Sequence, residues 1–160
     1  MKIADVLSPT KIQLRIPVTS KRELLDRLLA IVDAEGELLD SERARQAVFE
    51  REERLSTGIG YGIAIPHAKT DAVARATAAL VTCAQPVEYD SLDGKPVDIA
   101  ILILGRSGDV RTHLQLLGKI SRLVSSEQSR ELFRHTLLQA RTPNAVYEYF
   151  QQLPDSNNAD

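Results

Sequence analysis

The chain has 160 residues, of which 43% are hydrophobic and 26% charged, and its formal net charge is −2. This suits one globular domain with an ordinary core, and the small net charge provides no basic field for nucleic acid or an anionic membrane. The single cysteine, Cys83, excludes an internal disulfide and a cysteine metal cluster, and no apolar run approaches the roughly 20 residues of a membrane helix.

A strand and a helix are predicted at the beginning of the chain. Residues 11–16 (KIQLRI) alternate polar and apolar side chains, which is typical of a half-buried strand. Ser20 and Glu23 have the spacing of a capping box, so a helix begins there, and Gly36 ends it. The buried face of this helix is predicted to consist of Leu24, Leu25, Leu28, Leu29 and Val32.

A second helix is predicted from Asp40 or Ser41, either of which can act as its N-cap, to about Arg54. Its apolar face is thin and consists of Ala44, Ala47 and Val48. Arg51 falls on that face at helical spacing, where a guanidinium needs an anionic partner to offset the cost of burial. The neighbouring charged residues are predicted to be solvated surface: Glu50, Glu52, Glu53 and Arg54.

Three short strands are predicted in the middle of the chain, at Ile63–Pro66, Ala78–Cys83 and Val97–Leu104. The third is almost continuously apolar, as expected for a central strand that is covered on both faces. The first ends immediately before His67, so we expect the strand to hold that imidazole in a defined position.

The remainder of the chain is predicted to be helical. Apolar periodicity indicates helices from Asp109 to Val124 and around Glu127 to Leu138, and Thr142-Pro143 provides the start of a last helix. The irregular alternation of strands and helices favours an α+β fold, a three-layer α/β/α single domain whose mixed β-sheet is covered by helices on both faces. We expect this domain to span residues 1–153 and residues 154–160 to form a disordered tail.

The stretch STGIGYGIAIPHA, residues 56–68, combines features that suit an anion site around His67. Its candidate donors are backbone N–H groups and two hydroxyls, from Ser56, Thr57, Gly58, Gly60 and Gly62. The glycine spacing alone is weak evidence, because the same glycines can simply form a tight turn into the strand. Of the other histidines, His113 lies on an apolar helix stripe, where a structural role is the usual one, and His135 is predicted to be a surface residue.

Several chemistries are not supported by the sequence. No spacing of histidines, cysteines or carboxylates suits a metal, and neither a serine-hydrolase elbow nor a nucleotide-binding motif is present, so no cofactor is expected. The remaining candidates are an imidazole, an inward arginine, a second histidine and a loop with N–H donors. They fit a phosphohistidine best, because histidine can act as a nucleophile while arginine and N–H groups stabilise phosphoryl oxygens.

The same stretch also resembles a known signature. STGIG at residues 56–60 and GIAIPHA at residues 62–68 resemble the active-site signature of the fructose/mannitol-type (type-2) EIIA domains of the bacterial phosphotransferase system. The pair Arg51-Glu52 matches the family's Arg-Glu pair, and Thr112-His113-Leu114 resembles its second histidine region. The resemblance extends from about Ile3 to Phe150.

This resemblance implies a role for each candidate residue. His67 would be the phosphorylated residue, with a tele-phosphohistidine expected, and would accept its phosphoryl group from phospho-HPr or a nitrogen-branch HPr paralogue. Arg51 would be the active-site arginine and His113 the neighbour that hydrogen-bonds near the phosphoryl group. Because the nucleophile is the neutral imidazole, we expect transfer to weaken as the pH falls towards about 6.5.

Two positions depart from the family pattern. Leu55 stands where glycine is common, and Tyr61 replaces a residue that is usually polar. Both flank the loop, so they bear on the choice of partner more than on phosphorylation, and Tyr61 is expected to cover the rim of the site or to form part of a docking surface.

Three functions remain open at this point. A nitrogen-regulatory EIIA, whose phosphorylation state controls a transporter or sensor kinase, is favoured because no EIIB, EIIC or HPr module is seen in these 160 residues. The first alternative is a sugar-transport EIIA that passes the phosphoryl group to an EIIB domain. The second is a non-catalytic anion-binding or interaction module on the same fold. In every case we expect a cytoplasmic protein without nucleic-acid binding or membrane insertion.

Overall fold

The structure is a computed structural model that describes residues 1–155. Two short 3-10 turns, Ile3–Asp5 and Pro9–Lys11, precede the first strand. The strands are β1 (Ile12–Ile16), β2 (Gly58–Gly60), β3 (Ile63–Ala64), β4 (His67–Lys69), β5 (Thr77–Val87) and β6 (Val97–Gly105). The helices are α1 (Lys21–Ala34), α2 (Ser41–Arg54), α3 (Val110–Ser125), α4 (Glu127–Gln139) and α5 (Pro143–Gln152).

The strands form one mixed sheet in the order β1-β5-β6-β3-β2, and β4 pairs with the C-terminal half of β6. The central pair β5 and β6 is antiparallel, whereas β1 lies parallel to β5, and β3 and β4 lie parallel to β6. Ile63 aligns with Ile99 and His67 with Ile103, so β3 and β4 follow the same edge of β6 in succession. This arrangement confirms the predicted mixed sheet.

The sheet has a hydrophobic core on each face, which explains why β6 is apolar at nearly every position. Ala100, Leu102 and Leu104 face the core shared with α1 and α2. Their neighbours Ile99, Ile101 and Ile103 face the core shared with α3, α4 and α5. Successive side chains of a strand point to opposite faces, so a strand between two helical layers must be apolar throughout. The three-layer prediction is confirmed.

The helices begin where the sequence predicts, and their first N–H groups are capped by side chains. Ser20, Asp40, Asp109 and Thr142 each precede a helix and accept a hydrogen bond from a backbone N–H three residues later. The capping box at Ser20 is only half formed, because Glu23 accepts from the backbone N–H of Thr19 at 3.0 Å. Among residues 1–155, no helix has the length and apolar character that crossing a membrane requires.

Two sequence-based predictions about local structure are wrong. The strand predicted at Ile63–Pro66 ends at Ala64, and His67 is the first residue of β4 instead of following the end of a strand. Glu52, predicted to be solvated, is only 7% exposed. Of the predicted tail, residues 156–160 lie outside the described part of the chain, whereas the Asp155 carboxylate contacts Lys119 Nζ at 2.6 Å.

Candidate functional site

His67 is held at the edge of the central strand by its backbone and by its ring. It pairs with Ile103 in β6, and the carbonyl oxygen of the preceding Pro66 accepts a hydrogen bond from the Ile103 N–H at 3.0 Å. The Nδ1 atom lies 2.8 Å from the carbonyl oxygen of Ile65. Because a carbonyl oxygen can only accept, Nδ1 carries the proton, and Nε2 keeps its lone pair.

His113 faces His67 from the first turn of α3. The two ring centroids are 5.7 Å apart and the rings are inclined by 51°. His113 is 4% exposed, and its Nδ1 has no hydrogen-bond partner within residues 1–155. A buried N–H without an acceptor is costly, so the favoured tautomer has the proton on Nε2, which makes Nε2 a donor.

Gly105 at the end of β6 permits this position of His113. A Cβ atom built on Gly105 would lie 2.6 Å from Nδ1 of His113 and 3.1 Å from its Cγ, closer than packed atoms approach. The residue next to the imidazole must therefore lack a side chain. Gly105 is not predicted from the sequence, because only the tertiary structure shows that the end of β6 meets the beginning of α3.

Arg51 completes the group at the C-terminal end of α2. The Arg51 side chain is half-buried, and its guanidinium donates to the carbonyl oxygen of Leu55 at 2.9 Å. No salt bridge to Arg51 is found among residues 1–155, so the anionic partner that its predicted burial required is not supplied by this part of the chain. A guanidinium facing a cleft can instead bind an anion from outside.

These three residues share one surface cleft of about 410 Å³. It is lined by Ala47, Glu50, Arg51, Arg54, His67, Ala68, Lys69, His113, Leu114 and Leu117. Arg54 and Lys69 bring the number of cationic side chains to three, and sequence analysis assigned neither of them to the site. Their spacing contained the signal, because Arg54 is three residues after Arg51 on a helix, and Lys69 is two after His67 on a strand.

Both imidazoles are neutral at pH 7. Burial lowers the pKa of His67 below its ordinary value, and nearby Arg51 lowers it further, against the opposing effects of the Ile65 carbonyl and the Glu52 carboxylate. Burial, with smaller effects of His67 and Lys69, lowers the pKa of His113 to about 4. Because the pKa of His67 is lowered, we expect its neutral form to persist to a lower pH than the ordinary pKa of histidine would suggest.

Comparison with known proteins identifies the family. Residues 5–153 match the family described as "Phosphoenolpyruvate-dependent sugar phosphotransferase system, EIIA 2". The chain belongs to this family. The similarity to type-2 EIIA domains inferred from the sequence is confirmed, and the fold agrees with it.

The relatives of this EIIA chain have two kinds of name. It is 36% identical over 95% of its length to the fructose-specific EIIABC component of Bacillus subtilis, of which it spans 23%. It is 33% identical over 96% of its length to the fructose-specific EIIA component of Haloferax volcanii, covering 99% of that protein. The crystal structure of the nitrogen regulatory protein IIA-Ntr from Neisseria meningitidis superimposes with a TM-score of 0.83 at 29% identity, covering 92% of this chain and 98% of that one.

The glycine-rich loop of this EIIA chain does not line the cleft. None of the five loop residues predicted to surround the phosphoryl group is among the lining residues: Ser56, Thr57, Gly58, Gly60 and Gly62. The loop packs elsewhere, since a Cβ atom on Gly58 would overlap with Ser91 Oγ, and one on Gly62 would lie 2.7 Å from Asp98 Oδ1. Gly60 and Gly62 have positive φ angles of 101° and 77°, so here the alternative interpretation of a tight turn describes the geometry.

The two departures from the family pattern are also located. Tyr61 lies at the tip of the β2–β3 hairpin, and the Arg130 guanidinium stacks 3.6 Å above the centre of its ring. Tyr61 is not among the residues that line the His67 cleft, so the predicted covering of the rim is wrong, whereas a docking role stays a prediction. Leu55 is 59% exposed, and its carbonyl oxygen holds Arg51.

The cleft combines one lone pair with hydrogen-bond donors and positive charges. No group of three or more histidine, cysteine or acidic side chains within residues 1–155 could hold a metal ion. What the cleft offers is an unprotonated Nε2 on His67, an Nε2–H donor on His113 and the positive charges of Arg51, Arg54 and Lys69. A nucleophile among donors and cations can accept a phosphoryl group and stabilise its oxygens.

Proposed function

We propose that this EIIA chain is a phosphocarrier that accepts a phosphoryl group on Nε2 of His67, forming a tele-phosphohistidine. The observation that carries this proposal is the hydrogen bond from Nδ1 to the Ile65 carbonyl, which leaves the Nε2 lone pair as the nucleophile. The donor is phospho-HPr or its nitrogen-branch paralogue, and the reaction takes place in the cytoplasm.

The transfer is a displacement at phosphorus. The Nε2 lone pair of His67 attacks the phosphorus atom as the bond from phosphorus to the donor's imidazole nitrogen breaks, and the donor nitrogen retains that electron pair. Arg51 and the His113 Nε2–H stabilise the negative charge on the phosphoryl oxygens. The neutral state of both imidazoles supports this assignment, since a protonated His67 has no lone pair to donate.

We further propose that the phosphorylation state controls partner proteins, as in a nitrogen-regulatory EIIA. Support comes from the fold match to the Neisseria IIA-Ntr protein over nearly the whole of both chains. A phosphoryl group adds up to about two negative charges to a cationic cleft, which can recruit one partner, such as a transporter or a sensor kinase, and repel another.

A sugar-transport role is the second candidate, in which the phosphoryl group passes to an EIIB domain. It is favoured by the 36% and 33% identities to fructose-specific components, which exceed the 29% identity to the Neisseria protein. The two roles share the chemistry at His67 and differ only in the protein that receives the signal or the phosphoryl group.

The test is the intact mass of the protein after incubation with phosphoenolpyruvate, enzyme I and HPr, or with the nitrogen-branch equivalents. We expect an acid-labile phosphoryl adduct on the wild type and none on His67→Ala, with the exposed His135→Ala as a matched control that retains it. The preferred donor indicates the branch, and subsequent transfer to an EIIB domain indicates sugar transport. Anion binding without an adduct from either donor set would refute the carrier proposal in favour of a binding module.

A further inference from the structure

Glu52 is a buried carboxylate next to Arg51 in the sequence, yet it points away from the cleft. Its Oε1 accepts hydrogen bonds from the Thr57 N–H at 2.9 Å and its Oε2 from the Thr57 hydroxyl at 2.6 Å. The ammonium group of Lys21 lies 2.9 Å from Oε1. A carboxylate that is 7% exposed needs such partners, because a buried charge without them is very unfavourable.

Thr57 and Ile65 connect this carboxylate to His67 through a series of backbone hydrogen bonds. The Thr57 carbonyl oxygen accepts from the Ile65 N–H at 3.0 Å, and the Ile65 carbonyl oxygen accepts from Nδ1–H of His67 at 2.8 Å. Each donor in this series points towards Glu52. The N–H and C=O groups of one residue belong to different peptide units, so this series acts by fixing the position of the Ile65 carbonyl, one residue after another.

A tyrosine sets the direction of the Thr57 hydroxyl. The Tyr89 hydroxyl lies 3.0 Å from Thr57 Oγ1 and is completely buried. Because the Thr57 hydroxyl gives its only proton to Glu52, Tyr89 must be the donor in this contact. The pKa of Tyr89 is raised by burial and by the nearby Glu52 carboxylate, so Tyr89 keeps its proton.

We propose that Glu52 is a positioning residue for His67, which acts through Thr57 and Ile65 to hold the imidazole in the Nδ1–H tautomer with Nε2 presented to the cleft. This inference rests on the proposed function, in which Nε2 is the phosphoryl acceptor. The ring nitrogen that donates a hydrogen bond to a carbonyl oxygen must carry the proton. Through Thr57, Glu52 holds the residue whose carbonyl oxygen accepts this bond from His67.

Glutamine at position 52 would disturb this series without changing the size of the side chain. Its carbonyl oxygen could still accept from the Thr57 N–H. Its NH₂ group, however, would meet Thr57 Oγ1 as a donor, so the Thr57 hydroxyl proton would turn from residue 52 to the Tyr89 oxygen and reverse that contact. The substitution therefore removes the negative charge of residue 52 and changes the direction of the hydrogen bonds around Thr57 Oγ1.

The first readout is the tautomer of the His67 ring in the unphosphorylated protein, measured from its ¹⁵N chemical shifts by NMR at neutral pH. We expect the wild type to have the Nδ1–H form alone and Glu52→Gln to have a mixture of both tautomers. The second readout is the rate of phosphoryl acceptance, which should fall about 10- to 100-fold in Glu52→Gln, by analogy with the loss of a partner that orients a metal-ligating histidine. Glu53→Gln, an exposed position in the same helix, should leave both readouts unchanged.

Substitutions of Thr57 test the same connection without removing the buried charge. Thr57→Val removes the hydroxyl and keeps the backbone bonds, so it should change the tautomer ratio and rate in the same direction as Glu52→Gln. Thr57→Ser restores the hydroxyl and should return both towards the wild type. If Glu52→Gln does not fold, the comparison of Thr57→Val with Thr57→Ser tests the positioning role of Glu52.

The outcomes separate this inference from the proposed function. A folded Glu52→Gln, or Thr57→Val, with the wild-type tautomer and rate would overturn the positioning role. A wild type that takes no phosphoryl group from either donor would refute the carrier function, whereas the tautomer measurement would still test Glu52. A loss of stability in Thr57→Val with an unchanged His67 tautomer would also overturn the proposal, since it would show a purely structural role.

Discussion

Acidification should destabilise this protein through His113. The unfolded chain binds a proton on this residue below pH 6.5, the ordinary pKa of histidine, whereas burial lowers the pKa in the folded state to about 4. Neutral His113 therefore contributes its full share to the free energy of unfolding above pH 6.5, and this contribution is lost as the pH falls towards 4. With about 1.4 kcal/mol for each pKa unit, the loss is about 2 kcal/mol between pH 7 and pH 5, and about 3 kcal/mol by pH 4.

The assay is urea denaturation at pH 7 and pH 5, followed by circular dichroism. The contribution of His113 is the difference between the wild type and His113→Leu, which has a side chain of similar size that does not titrate. Between the two pH values, the free energy of unfolding of the wild type should fall by about 2 kcal/mol more than that of His113→Leu. His135→Gln, at an exposed position, should behave like the wild type. Equal losses in the wild type and His113→Leu would refute the reasoning.

Three further predictions concern the His67 cleft and the buried thiol of Cys83. Gly105→Ala should displace the His113 ring, lower stability by about 1 to 3 kcal/mol in urea denaturation and slow phosphoryl acceptance. Arg51→Gln should raise the pKa of His67 in an NMR titration, because the guanidinium lowers it. Cys83, whose pKa burial raises to about 11, should react with iodoacetamide at pH 8 about 100-fold more slowly in the folded protein than in urea.

Each of these predictions has a control or a contrary result. Gly108→Ala is the control for Gly105→Ala, because nothing lies within 4 Å of an added Cβ at Gly108. Its stability and its rate of phosphoryl acceptance should be close to those of the wild type. Arg43→Gln, at an exposed position in the first turn of α2, should leave the His67 titration unchanged. A Cys83 that is labelled equally fast in the folded and unfolded states would show that the thiol is not buried.

Much of the fold is determined by local patterns that the sequence displays directly. The caps at Ser20, Asp40, Asp109 and Thr142 each start a helix, because the side chain that satisfies the first N–H groups is only three residues away from them. The continuous apolar run of β6 likewise indicates a strand between two layers. The candidate residues His67, Arg51 and His113 were also found from the sequence, the arginine by helical spacing and all three by family resemblance.

The role of the glycine-rich loop could not be predicted from its composition alone. Its composition suits an anion site, yet the glycines are required because Ser91, Asp93 and Asp98 approach them from elsewhere in the chain. Glu52 shows the same limitation, since a charged residue between other charged residues on a helix is usually solvated. Only Thr57 and Lys21, brought beside it by folding, supply the donors that make its burial favourable.

The sequence by itself therefore determined the family, the starts of the helices and the histidine that we propose as the nucleophile, because these depend on residues that are close together along the chain. The tertiary structure decided which groups surround that histidine. Gly105 admits His113 beside it, and Arg51, Arg54 and Lys69 share one cleft with both imidazoles. The Ile65 carbonyl that fixes the tautomer of His67 is only two residues away, whereas the groups of the cleft come from β4, α2 and α3 and meet only when the chain folds.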